Sequence, residues 1–250
     1  AGTSLTTGAR NTLVGAFAGD ALTDADFNVA VGFGALDVDV LGSKSTAVGY
    51  GTLEVQNFTT ATDTFNTAVG FEAGHVITTG TLNTLIGGLA GDALTEGTRN
   101  VAVGKDALTS DTLGSRSVAV GFAALFSQNL NTATNVFNVA VGEQAGLNVT
   151  TGTVNTLIGA RSGDALTTGN SNVAVGYDTL GAGTGDAGVV AIGHNALKTL
   201  NSNSVNYNVA VGESAGESVT SGIGNALMGG LTGDALTDAD FNVAVGFQAL

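Results

Sequence analysis

The sequence predicts an all-β protein, a parallel β-solenoid of about fourteen coils, and three observations predict it. A five-residue block, Asn-x-Ala-Val-Gly, returns along the whole of the 250-residue chain. The interval between copies is 17 residues or a little more, a short fixed period of the kind that stacked repeats show. Hydrophobic residues make up 43% of a chain that has 39 Gly and neither Pro nor Cys. Such apolar content is too high for a disordered chain, and the absence of Pro leaves strand N–H groups free for an inter-coil ladder.

The closing glycines are Gly15, Gly32, Gly49, Gly70, Gly87, Gly104, Gly121, Gly142, Gly159, Gly176, Gly193, Gly212, Gly229 and Gly246. Their spacings are 17, 17, 21, 17, 17, 17, 21, 17, 17, 17, 19, 17 and 17, so every fourth interval is longer, at 21, 21 and 19, in a second period of 72, 72 and 70 residues. Four kinds of unit follow one another, starting at Asn11, Asn28, Ser45 and Asn66 in the first cycle. First units carry Leu13, Leu85, Leu157 and Leu227, followed by Gly-Asp-Ala-Leu-Thr. Third units are the long ones and end on Phe65, Phe137 and Tyr207, and fourth units turn on Thr-Thr-Gly or Thr-Ser-Gly. Both ends cut through a unit, so residues 1–250 are expected to be a single continuous array, a window of a longer fibre.

Seventeen residues are too few for a helix pair, and the frequent Gly, Thr and Val disfavour helix. Two short strands and two turns fit. Coils stacked at about 4.8 Å would give a rod of roughly 65 to 70 Å. Numbering each coil from its Asn, position 3 is Ala or Leu and position 4 is Val, Ile or Met throughout. Alternate strand residues point to opposite faces, so both faces of this strand are expected to be covered, one by the coil interior and one by an identical chain. Gly at position 5 predicts a corner needing φ > 0 or a backbone approach too close for a Cβ. Asn at position 1, as at Asn11, Asn28, Asn66, Asn83, Asn100 and Asn138, predicts stacked side chains bonding to turn backbone and to neighbouring amides. Position 8 is always small. At position 9, first and fourth units have Gly with an apolar residue at position 12, such as Leu22 or Ile77, whereas second and third units have Leu; one interior volume is filled from two places.

Composition excludes several function classes. No Cys means no disulfide scaffold and no Cys-ligated metal. Two isolated His, His75 and His194, do not build a zinc site or a Ser/His/Asp triad. Seven Lys and Arg against 21 Asp and Glu give a net charge of −14, which opposes binding to nucleic acid. No apolar run reaches the roughly 18 to 20 residues of a membrane span. The Gly-rich segments lack the Gly-Lys-Ser/Thr of a phosphate loop. No enzyme activity and no cofactor are expected.

The Asn-Val-Ala-Val-Gly blocks resemble the head repeats of trimeric autotransporter adhesins, and the longer Asn-Thr-Ala-Val-Gly-x-x-Ala-Gly … Thr-Thr-Gly pattern of Asn66 to Gly80 is similar to repeats of phage tail fibres and bacterial surface fibres. The resemblance implies a homotrimeric or higher fibre assembly, at a virion surface, at a cell surface or otherwise outside the cell. The expected function is a rigid shaft or head segment. An alternative is an adhesin module that binds glycan or matrix through the long third units, with Phe58, Thr59, Asn129, Asn131, Asn201 and Asn203 as contact residues, because polar loops on a rigid scaffold are where recognition concentrates. A remote alternative is an ice-binding solenoid, which would require Thr in one register coil after coil.

Two further features have bland readings. Asp20, Asp92, Asp164 and Asp234 each follow Gly once per cycle and invite a calcium site, but they would lie about 19 Å apart along the stack, so turn closure is the expected role. Aromatic residues at position 6, among them Phe33, Tyr50 and Phe71 in consecutive coils, predict a ladder or an interchain contact in preference to sugar binding.

Overall fold

The computed structural model describes residues 1–250. It is all-β, without a helix, and forms a parallel β-solenoid of about fourteen turns. The chain divides into two compact units, Ala1–Phe122 with Asn129–Asn135, and Ala123–Gln128 with Val136–Leu250.

The first unit contains β1 (Thr12–Val14), β2 (Val29–Val31), β3 (Gly42–Ser43), β4 (Thr46–Val48), β5 (Thr62–Asp63), β6 (Thr67–Val69), β7 (Thr84–Ile86), β8 (Val101–Val103), β9 (Gly114–Ser115), β10 (Val118–Val120) and β11 (Thr134–Asn135). The second contains β12 (Val139–Val141), β13 (Thr156–Ile158), β14 (Val173–Val175), β15 (Val190–Ile192), β16 (Val209–Val211), β17 (Ala226–Met228) and β18 (Val243–Val245). Within each unit, each three-residue strand covers positions 2 to 4 of a coil and pairs in parallel with the same positions of the next, as in Leu13↔Ala30 and Leu157↔Ala174. The register does not slip within a unit, so each position forms a column there. The long coils add a second, shorter pairing: β3 with β5, β9 with β11, and a single bridge between Ala187 and Val205.

Inside each unit the core is columnar. Position 3 is fully buried from Ala30 onward through most of the stack, and Leu22, Leu36, Leu53, Ile77, Leu94 and Leu108 fill the other end of the coil. The trade between positions 9 and 12 is visible as filled volume. A Cβ on Gly19 would lie 2.7 Å from Leu13 and 2.8 Å from Leu22, and one on Gly74 would meet Leu85, Ile77 and the preceding coil's Leu53. Gly is therefore required where leucines of the same and neighbouring coils converge, and elsewhere Leu occupies the position itself.

Position 5 satisfies both reasons for glycine at once. Its φ lies between 126° and 144°, and a Cβ on Gly32 or Gly49 would fall 2.1 Å from the carbonyl oxygen of the glycine one coil on. The other corners are less expected. Positions 7 and 9 and the residue just before position 1, here position 0, are also left-handed, and most of them are not glycine. Leu36, Leu53, Leu108, Leu180 and Leu197 all have φ near 50°. A left-handed non-Gly residue costs roughly 1 to 2 kcal/mol. At these five leucines the cost is offset because each is completely buried.

Asn at position 1 forms a ladder. Asn28 N–H donates to Asn11 Oδ1 at 2.8 Å, Asn100 N–H to Asn83 Oδ1 at 2.9 Å, and in the second unit Asn155 N–H to Asn138 Oδ1 at 2.9 Å. Along most of the column Nδ2 donates to the turn carbonyl at position 15 of its own coil, as from Asn83 to Gly97 at 2.9 Å. Where Ser45 replaces Asn, the long coil supplies the missing group: Thr64 Oγ1 bonds Ser45 Oγ at 2.5 Å and accepts from Asn66 N–H at 3.5 Å. Every Asn in the column except those near the chain ends is buried, so these bonds answer polar groups that water does not reach.

Candidate functional site

Two features stand out from the regular stack: the outer face of the main strand and the long third coils.

Position 4 points away from the core. Val14, Ile86, Ile158, Ile192, Met228 and Val245 are exposed, and the intervening Val31, Val48, Val69, Val103, Val120, Val141, Val175 and Val211 are half-buried. The single chain therefore covers one face of the strand and leaves the other open. Position 2, occupied by Thr or Val in all but one coil, shares that open face. Columns 0 and 6 flank it, and they hold eleven of the chain's fourteen aromatic residues. Phe33, Tyr50 and Phe71 stack with ring centroids 5.5 and 5.3 Å apart, Phe17 meets Phe33 edge-on at 5.4 Å, and Tyr177 stacks on His194 at 5.7 Å.

The seven basic residues look scattered in sequence, yet five of them stand in these columns of the first unit: Arg10, Lys44, Arg99 and Arg116 at position 0 and Lys105 at position 6. None of that unit's carboxylates does. Arg10 lies 5.0 Å over the Phe27 ring, Lys44 5.1 Å over Phe65 and Lys105 5.8 Å over Phe122. Lys44 also pairs with Asp63 at 2.6 Å, and Lys105 pairs with Asp106.

Each long coil is anchored by one buried carboxylate. Asp39 Oδ1 accepts from Gly42 N–H at 3.1 Å and from Phe58 N–H at 3.0 Å, while Oδ2 accepts from Gln56 Nε2 at 2.6 Å. Gln56 Oε1 in turn accepts from Asn66 Nδ2 at 2.8 Å, which joins the anchor to the Asn ladder. Asp111 repeats the first two bonds, from Gly114 N–H at 3.0 Å and Leu130 N–H at 3.4 Å. In the second unit Asp186 accepts from Ser202 N–H at 2.9 Å, Ser202 Oγ at 2.6 Å and Asn206 Nδ2 at 3.0 Å. Burial pushes the Asp39 carboxyl above its ordinary range, against the opposing pull of its hydrogen bonds to Phe58, Gln56 and Gly42.

Of the six predicted contact residues, Thr59, Asn129, Asn131, Asn201 and Asn203 are exposed. Phe58 is a correction: it is only 7% exposed, because the Asp39 anchor draws its backbone inward and its ring packs into the coil. Asn203 Oδ1 accepts from Gly185 N–H at 3.0 Å and Asn129 Oδ1 from Thr112 Oγ1 at 3.2 Å, so these side chains tie the loops down as well as lining them.

Threonine recurs at one register, though not on every coil. Thr23, Thr78, Thr95, Thr150, Thr167 and Thr220 share position 13, and each hydroxyl donates to the carbonyl at the same position one coil on, at 2.9 to 3.3 Å. Val40 and the Asn residues of the long coils interrupt the column, so Thr does not repeat coil after coil. Its hydroxyls are spent within the stack.

Asp20, Asp92, Asp164 and Asp234 stand on separate coils, and no group of three or more His, Cys, Asp or Glu is placed to hold a metal ion. Asp164 receives Arg161 Nε at 3.4 Å. Burial raises the carboxyls of both Asp92 and Asp164; like-charge neighbours Asp106 and Glu72 add to this at Asp92, and Arg161 opposes it at Asp164.

No family model matches the chain, and no curated protein or solved structure matches it either.

Proposed function

We propose that the chain is a structural segment of a fibre, the shaft or head of a phage tail fibre or of a bacterial surface filament outside the cell, assembled as a homotrimer. One observation carries the reading: an in-register stack whose outer strand face is a continuous apolar strip from coil to coil in each unit. Soluble monomers rarely expose contiguous apolar patches beyond a few hundred Å². Over seven coils at about 4.8 Å, and across roughly 20 Å from column 0 to column 6, each unit's face measures on the order of 700 Å², close to the roughly 800 Å² that each partner gives to a stable interface. The role is mechanical, and the repeated ladders give stiffness. The trimeric state rests on the resemblance of the repeats to trimeric fibre families. Light scattering of the soluble chain tests the proposal, with an oligomeric mass expected; a stable monomer would overturn it.

A second reading, adhesion to glycan or matrix through the long coils, is favoured by the buried anchors at Asp39, Asp111 and Asp186, which hold the exposed residues 59–61, 131–133 and 203–205 in fixed positions. Shortening the three loops to 17-residue coils tests it. Attachment that survives the shortening would exclude the loops as the adhesive element.

A further inference from the structure

We infer that Gly88 lies at the bottom of an open socket in column 6 of the first unit, and that the socket takes the ring of a small arylalkylamine, a phenol or indole carrying a short alkylammonium arm. The inference goes beyond the assembly reading and does not rest on it.

The chain itself shows what such a gap receives. Columns 0 and 6 contain four glycines, Gly88, Gly188, Gly224 and Gly230. At three of them the aromatic residue one coil on in the same column leans into the space that a side chain would occupy. A Cβ on Gly188 would lie 3.4 Å from the Tyr207 ring, one on Gly224 2.7 Å from the Phe241 ring, and one on Gly230 3.6 Å from the Phe247 ring. Gly88 is the exception, since a Cβ there would meet nothing nearer than the Phe71 carbonyl oxygen at 4.0 Å. The residue one coil on is Lys105, whose ammonium lies over the Phe122 ring and pairs with Asp106. On the other side Phe71 stacks back on Tyr50 at 5.3 Å and is 54% exposed, so its far ring face is free. Phe71 and Lys105 stand two coils apart, about 9.6 Å. A flat ring in van der Waals contact on both sides needs ~7 to 8 Å. One ring therefore fits, and it continues the stack of Phe33, Tyr50 and Phe71.

Charge then selects among aromatic compounds. Glu72 follows Phe71 in the chain, Asp106 follows Lys105, and Asp92 stands on the same coil as Gly88. The charges of Asp106 and Glu72 both act on Asp92, so the three carboxylates are neighbours. Lys105 answers Asp106, and no Lys or Arg pairs with Glu72 or Asp92. Asp92 Oδ1 is buried without a hydrogen-bond partner. The second unit answers the equivalent carboxylates from within the chain: Arg161 reaches Asp164 and Asp178, and Lys198 reaches Asp178. In the first unit Leu89 stands where the second has Arg161. An ammonium on a short arm from the ring supplies the missing cation, whereas an aromatic acid would meet like charge.

Titration of the soluble chain with tyramine, followed by NMR of the ligand, tests the site, with p-cresol as the neutral probe and hydroxyphenylacetate as the acidic one. One saturable site per chain is expected, with p-cresol ~3-fold and hydroxyphenylacetate ~10-fold weaker than tyramine, the size of partly exposed charge interactions. Gly88→Phe fills the socket with a residue native to column 6 at Phe33, Phe71 and Phe122, and should abolish binding with an unchanged unfolding midpoint. Phe71→Leu keeps apolar bulk but removes the stacking face, and should weaken tyramine at least ~3-fold. The Leu variant decides the matter if Gly88→Phe does not fold. Absence of saturable binding, or binding undiminished by either substitution, would overturn the socket. Equal binding of the three probes would overturn its assignment to an amine.

Discussion

The Asp39 carboxylate fills the space that a side chain at Gly42 would need: a Cβ on Gly42 would lie 2.1 Å from Asp39 Oδ2. The pair recurs as Asp111 and Gly114, at the same 2.1 Å. In the third such coil the order is reversed. Gly183 stands at the aspartate's position and Asp186 at the glycine's, and a Cβ on Gly183 would lie 2.3 Å from Asp186 Oδ2. One buried carboxylate is thus delivered to one place from either of two sequence positions, and in every case it accepts the backbone N–H that anchors the long coil.

This reversal predicts a compensating pair of substitutions. Asp39→Gly alone removes the acceptor for Phe58 N–H, Gly42 N–H and the Gln56 amide, at about 1 to 3 kcal/mol for each buried group left unpaired. Gly42→Asp alone places two carboxylates in one buried space. The double substitution recreates the Gly183 and Asp186 arrangement and is expected to recover most of the loss. Urea unfolding of the four chains measures the coupling, and a double variant no more stable than the worse single one would show that the two positions are not interchangeable.

Neighbouring glycines are expected to differ sharply. A Cβ on Gly87 would lie 2.4 Å from the Gly104 carbonyl oxygen at φ 136°, and both residues belong to the rigid ladder. Gly87→Ala should cost more than about 4 kcal/mol, in the range reserved for severe steric and backbone conflicts. Gly88→Ala, in open space, should change stability by less than about 0.5 kcal/mol. Comparison of their unfolding midpoints checks both values.

Much of this architecture is legible in the sequence because each column repeats one physical requirement. Gly at position 5 and Asn at position 1 stay constant, so a corner and a polar ladder follow directly. What escapes is distributed or disguised. The Asp39 anchor is disguised by its reversal at Gly183 and Asp186, and the threonine column by the long coils that interrupt it. Left-handed Leu36 and Leu53 give no signal, since Leu in a repeat reads as ordinary core. Arg10, Lys44, Arg99 and Arg116 lie 34, 55 and 17 residues apart in turn, and only the long coil between Lys44 and Arg99 keeps them in one column. Phe58 escapes for a related reason: a long polar segment predicts a surface loop, but its aromatic residue is drawn inward by an aspartate in the preceding coil.

The Asn ladder should resist substitution in its middle. Asn83→Ala would leave Gly97 O and Asn100 N–H buried without partners. A loss of about 2 to 5 kcal/mol is expected. Asn83→Ser should not rescue it, although Ser45 is native at the same position, because Ser45 depends on Thr64 and Gln56 of its long coil and the coil that begins at Asn83 has neither. A Ser variant as stable as the parent would show that the column needs only a small polar group.

Acidification should strengthen the fold at first. Asp37, Asp39, Asp92 and Asp164 all have carboxyls raised above the ordinary value of 3.8, in each case chiefly by burial, with the Asp20 charge contributing at Asp37 and the charges of Asp106 and Glu72 at Asp92. A carboxyl with a higher pKa in the folded than in the unfolded chain binds its proton more readily when folded, so stability grows as the pH falls from neutral toward the raised values. This is opposite in sign to acid unfolding driven by salt-bridged carboxylates. The urea midpoint should therefore be higher at pH 5 than at pH 7. Relief of the net charge of −14 acts in the same direction, so a single substitution separates the local effect from the global one. Asp92→Asn, which removes the charge at a half-buried site facing Glu72 and Asp106, should raise the midpoint at pH 7 and reduce its pH dependence, whereas Asp24→Asn on an exposed corner should change the midpoint far less. Equal effects of the two substitutions would assign the pH dependence to overall charge alone.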